Sequence, residues 1–138
     1  MGAKRTRYVL DSFAVLAFLT AEEGMPRVRG VLDEAAAGRS DVYLSLINLG
    51  EVMYITERER GLAQAQEALG LIDQMPIELV PASREAVLAA AHIKSGHTIA
   101  YADAFAVAAA QALDAVVLTG DPEFESVKEL VGIERITG

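Results

Sequence analysis

The sequence contains no cysteine, which excludes disulfides, a thiolate zinc site and a cysteine nucleophile together and leaves the redox compartment open. It also lacks a basic excess. Twelve Lys and Arg stand against 20 Asp and Glu, a formal charge of −8. A chain of that sign is not a general nucleic-acid binder, although bound metal and a small basic patch can still set the local field for nucleic-acid chemistry. No apolar run is long enough to cross a bilayer. Lys4, Arg5 and Arg7 precede an apolar stretch ending near Ala21, as in a secretory signal, but Asp11 interrupts it and Glu22-Glu23 follow at once. With no small-x-small cleavage site, a cytoplasmic location is expected. The two histidines, His92 and His97, are five apart and share no metal-ligand spacing. There is no phosphate loop or dinucleotide glycine pattern, and Leu69-Gly70-Leu71 falls mid-helix.

What remains is a chain of 138 residues, 52% hydrophobic, with no linker, repeat or low-complexity stretch. One domain over 1–138 is expected, long enough to bury roughly two-thirds of its unfolded surface. Residues 8–10 form a short β-prone run that reads as a strand buried on both faces. Ser12 suits the N-cap of a helix to residue 19, and Pro26 suits the first turn of a second helix to about 37. A strand over 42–44 precedes a helix from 47 to 60 that Gly61 ends, then a helix over 62–75 stopped by Pro76. A third strand covers 77–80, and Ser83 caps a helix ending near 95–96. The apolar helix 101–113 leads to a fourth strand at 115–118. After a turn at 119–122, a short helix to 130 and an edge strand at 133–136 complete the pattern. Short apolar strands alternating with helices predict an α/β layer fold with a mostly parallel sheet of four to five strands.

Four carboxylates sit where a solvated acid has little reason to be. Asp103 lies in a helix apolar on nearly every side, and a buried carboxylate without a partner is too costly to be incidental. Glu51 interrupts the stripe Ile47, Glu51, Ile55, whereas Glu57 and Glu59 sit among Arg58 and Arg60 as solvated charges do. Asp11 ends the first strand and Asp121 follows the fourth, which puts both beyond the carboxyl ends of strands, where sites in open parallel sheets form. Each acid also has an ordinary reading. Asp11 could cap a helix in competition with Ser12, Asp121 before Pro122 is common helix-start chemistry, Glu51 could reach solvent from the stripe edge, and Asp103 could join an ion pair. Ser12, Ser45 and Asn48 read first as capping or turn residues, and Ser12 and Thr119 stand close enough in sequence to the acids to orient a ligand or water.

Taken together the acids say more. Two unit charges about 4 Å apart repel by about 4 kcal/mol at an effective dielectric near 20, so a shared rim needs cations or protons. An all-oxygen cluster suits Mg²⁺ or Mn²⁺, ions that clamp phosphoryl oxygens and activate an attacking water. Metal-assisted phosphodiester hydrolysis is the chemistry implied.

Val-Leu-Asp-Ser at 9–12, Ile-Asn-Leu-Gly-Glu-Val at 47–52, Tyr-Ala-Asp-Ala at 101–104 and Leu-Thr-Gly-Asp-Pro-Glu-Phe at 118–124 resemble, in order, the motifs of PIN-domain ribonucleases, most closely the small VapC-type toxins of toxin–antitoxin pairs. The resemblance runs from about residue 7 to 136. It implies a three-layer α/β/α PIN-like fold and an endoribonuclease in which Asp11, Glu51, Asp103 and Asp121 are catalytic and bind Mg²⁺ or Mn²⁺, supported by Ser12 and Thr119. It further implies a homodimer and a VapB-type antitoxin whose basic tail lies near the acids, a partner that a −8 chain would suit. Arg58, Arg60, Lys94 and the 4–7 cluster are the available contacts for RNA phosphates. A PIN nuclease of RNA maturation, a non-catalytic scaffold binding a partner through the acidic rim, and a metal phosphatase acting on small esters are the other functions that this acid pattern admits.

Overall fold

A computed structural model describes residues 5–137, so Lys4 of the basic cluster lies outside it. The chain runs β1 (Thr6–Leu10), α1 (Ser12–Leu19), α2 (Met25–Ala36), β2 (Ser40–Ser45), α3 (Leu46–Arg60), α4 (Leu62–Gln74), β3 (Glu78–Val80), α5 (Arg84–Gly96), α6 (Tyr101–Leu113), β4 (Val116–Thr119), a 3₁₀ helix (Pro122–Val127) and β5 (Gly132–Arg135). The five strands form one sheet in the order β3-β2-β1-β4-β5, and all four pairings are parallel.

Alternation along the central strands divides the core in two. Val9 and Val117 pack beneath α5 and α6 with Phe105, Val107 and Phe124. Tyr8, Leu10, Leu44 and Leu118 face the other way, onto α1, α2, Val52 of α3 and Ile72 of α4. The result is the expected α/β/α sandwich. In α6 every residue from Asp103 to Ala110 is buried. Its alanines let the helix lie close to the sheet and to α5, and they leave no room for an idle carboxylate.

Several boundaries differ from the sequence reading, for identifiable reasons. β1 and β2 begin earlier than their apolar runs because the parallel ladder continues through Thr6–Ser40 and Arg7–Asp41. Hydropathy does not register such backbone pairing. The segment after Pro122 is a 3₁₀ helix ending at Val127 rather than a helix to residue 130, and β5 lies one residue earlier than expected. Ser12 is not the N-cap of α1. Asp11 takes that place, its Oδ1 accepting from Ala14 N at 2.8 Å, while the Ser12 hydroxyl donates to the Asn48 carbonyl at 3.3 Å.

The strand order reverses direction at β1. From there the chain builds outward through β2 on one side and returns through β4 on the other, so a crevice opens beyond the carboxyl ends of β1 and β4. Asp11 leaves β1 into that crevice, and Asp121 leaves β4.

Candidate active site

The acids are positioned by helix starts. Asp11 is held twice, through Oδ1 by the Ala14 amide and through Oδ2 by the Thr119 hydroxyl. The same Thr119 oxygen accepts the Asp121 amide at 2.9 Å, so one hydroxyl ties together the ends of β1 and β4. Asp121 caps the 3₁₀ helix, its Oδ1 accepting from Glu123 N at 2.9 Å. Ser12 and Thr119 thus brace the site through hydrogen bonds, Thr119 directly on an acid and Ser12 through Asn48.

Asn48 is the residue the sequence reading underrated. It is fully buried. Its Nδ2 donates to Ser12 Oγ and to the Ala102 carbonyl, both at 3.2 Å, and its Oδ1 accepts from Ser45 Oγ at 2.7 Å. One amide therefore joins the first turns of α1, α3 and α6, the helices on which Asp11, Glu51 and Asp103 depend. Its position in Leu-Ile-Asn-Leu is as anomalous as that of the acids, and the same criterion would have found it.

One carboxylate oxygen each from Asp103, Asp121 and Glu123 come within 4.8 Å of one another. Glu123 was not expected there. In sequence it resembles any acid in a first helical turn, and only the tight 3₁₀ geometry after Pro122 brings it back toward Asp103. Glu51 is half-buried and outside this trio, but its charge acts on both Asp11 and Asp103. Burial lifts the Asp11 carboxyl from near 3.8 to about 7, with the Thr119 and Ala14 hydrogen bonds opposing the rise and the charges of Asp121 and Glu51 adding to it. Burial likewise lifts Asp103 to about 7, reinforced by Asp11, Glu51, Asp121 and Glu123.

The expected cationic partner of Asp103 is not found among the described residues. Among the described residues no Lys or Arg bridges Asp11, Glu51, Asp103, Asp121 or Glu123. Asp103 is only 8% exposed, and no described residue donates a hydrogen bond to its carboxylate. All donors here are hard oxygens. Such a donor set would suit Mg²⁺ or Mn²⁺.

A family model described as PIN domain matches residues 8–130. The chain belongs to the PIN-domain family. Solved structures agree with this PIN fold. VapBC2 of Rickettsia felis, bound to a DNA fragment from its promoter, gives a TM-score of 0.75 at 16% identity, over 94% of this chain and 98% of that one. VapC20 of Mycobacterium tuberculosis, a Sarcin-Ricin loop cleaving toxin, gives 0.69 at 14% identity, over 87% and 94%. FitAcB of Neisseria gonorrhoeae gives 0.66 at 22% identity, over 94% and 97%. No curated protein matches this PIN domain by sequence. Among its described residues no helix is long and apolar enough to cross a membrane.

Proposed function

We propose that this PIN domain is a Mg²⁺- or Mn²⁺-dependent endoribonuclease of the VapC toxin type. The observation that carries the reading is the condition of Asp103, a nearly buried acid with four other carboxylates acting on it and no cation among the described residues to answer them. The fold retains that arrangement at a cost, and an external divalent ion removes the cost. Asp11 and Asp103 are the deepest ligands, Asp121 and Glu51 complete the four, and Glu123 adds a fifth carboxylate at the rim. When bound, the ion neutralises charge on the phosphoryl group and favours ionisation of an attacking water. The chain's part is orientation. Thr119 fixes Asp11 against the Asp121 amide, and Asn48 holds the helix starts in register. The carboxylates are also placed to accept a proton from a water approaching the phosphorus.

The partners follow from the same comparison. Structural neighbours include toxin–antitoxin complexes, VapBC from Salmonella typhimurium bound to DNA and VapBC-1 from nontypeable Haemophilus influenzae. We assign this chain a VapB-type antitoxin with a basic segment over the acid crevice, a homodimeric state and a cytoplasmic site of action on RNA.

The test is cleavage of total RNA by the wild type and by Asp103→Asn, each with Mn²⁺ and with chelator. Metal-dependent cutting that the substitution abolishes is the expected result. Equal cutting by both proteins would place the activity elsewhere. A folded wild type that neither cuts RNA nor binds Mn²⁺ would leave a scaffold.

A further inference from the structure

The chain has eight aromatic residues, four Phe and four Tyr. Five are buried or half-buried. The three that are exposed, Phe13 at 40%, Tyr54 at 53% and Tyr101 at 46%, all stand within three positions of an acid of the site. Phe13 follows Asp11 by two residues, Tyr101 precedes Asp103 by two, and Tyr54 follows Glu51 by three. Aromatic surface is costly to leave in water, and here each exposed ring lies close in sequence to one of the acids.

Two of these rings are held in place. Phe13 rests on Gly120, where a Cβ would overlap the ring. Glycine is needed at 120 for that contact, since its backbone does not require a left-handed conformation. The ring is thus braced against the loop that carries Asp121. Tyr101 meets the buried Phe105 edge to face, with centroids 5.2 Å apart. The Asn48 amide nitrogen reaches both residue 12 and residue 102, so the positions next to them, 13 and 101, belong to the same rim. Tyr54 differs, because the Arg58 guanidinium already lies over its ring at 5.4 Å.

Charge alone cannot hold a polyanion here, with a net charge of −8 and five carboxylates at the crevice. Base stacking on aromatic rings supplies affinity without cations and tolerates any base. We propose that Phe13 and Tyr101 are base-stacking residues that receive unpaired bases adjoining the phosphodiester at the acids. The site then takes nucleotides out of the stack and refuses a duplex, whose bases are not available to either ring. This assignment rests on the nuclease reading above and gives it a substrate class.

The test is fluorescence anisotropy with three RNAs of one length: a single strand, its duplex, and an abasic strand that keeps the phosphates. The full chain carrying Asp103→Asn leaves the RNA intact. Phe13→Leu and Tyr101→Leu keep apolar bulk but remove the π face. Each should weaken single-strand binding roughly 5- to 150-fold and leave the abasic strand unchanged. In the wild-type background both substitutions should leave Mn²⁺ binding by calorimetry unaltered. Gly120→Ala, which keeps both rings but unseats Phe13, should reproduce Phe13→Leu. Undiminished single-strand binding by the leucine variants, or an equal loss on the abasic strand, overturns the assignment. So does a change in oligomeric state with RNA affinity intact, which would give the rings to a protein interface. Absence of Mn²⁺ binding and cutting in the wild type, with the base-dependent losses preserved, refutes the metal reading and leaves the stacking residues standing.

Discussion

Replacing Asp103 by Asn should make the metal-free protein more stable while removing its capacity to bind metal. Burial raises the Asp103 carboxyl from 3.8 to about 7. The native state therefore holds a proton that the unfolded chain gives up between about pH 4 and pH 7, and stability falls as pH rises through that window. At 1.36 kcal/mol per pH unit, a shift of about three units costs about 4 kcal/mol above pH 7. Asn carries no such penalty. The variant's advantage should be absent near pH 4, grow through neutrality and level off at up to about 4 kcal/mol, a large share of an ordinary folding free energy of about 5–15 kcal/mol. Urea denaturation at pH 4, 6 and 8 with chelator present would follow it. Saturating Mn²⁺ should then cancel the difference, because a ligand at about 1,000 times its Kd stabilises by about 4 kcal/mol. Equal or lower stability of the variant at pH 8 without metal would refute the reasoning, since Asp103 would then have a partner within the folded chain.

Other consequences are as direct. Mn²⁺ must displace the protons that Asp11 and Asp103 hold near neutrality, so its affinity should rise from pH 6 to pH 8, with proton release visible by calorimetry in buffers of different ionisation enthalpy. Because the two acids repel each other, they should titrate as a pair, and their effects should not add. Asn48→Ala takes the side-chain amide from the Ala102 carbonyl and from both serine hydroxyls, which keep only their bonds to the backbone of residue 48. It should cost roughly 1–3 kcal/mol in thermal or urea unfolding, and RNA cleavage should fall even at temperatures where the variant is fully folded. Glu123→Gln removes an exposed carboxylate from the trio. It should weaken Mn²⁺ binding several-fold without altering thermal stability, and unchanged binding would show that Glu123 is not a ligand.

The fold was legible because each central strand holds a short apolar run and the helices between them carry apolar faces, so periodicity showed the alternation of strands and helices and the motifs' resemblance added the layers. Glu51 and Asp103 stood out for the opposite reason, as charges placed where the pattern calls for Leu or Ala, and Asp11 and Asp121 by their places just past strands. Pairing that does not depend on hydropathy was not legible. The polar starts of β1 and β2 are held by backbone hydrogen bonds, and Ser12 yields its capping role to Asp11 because the Asn48 carbonyl, 36 residues away, occupies the serine hydroxyl. Glu123 was hidden because its approach to Asp103 depends on how tightly the chain turns after Pro122. Phe13 passed as an ordinary member of an apolar helix, and only the absence of a side chain at Gly120 shows what supports its ring.

The Thr119 hydroxyl binds Asp11 across 108 positions of sequence, and β4 fills the place beside β1 that remains open until residues 116–119 exist. A chain emerging from the ribosome therefore carries Asp11 for most of its synthesis without the strand that closes the crevice or the hydroxyl that orients this deepest acid. The acid crevice is therefore completed only when synthesis has passed residue 121.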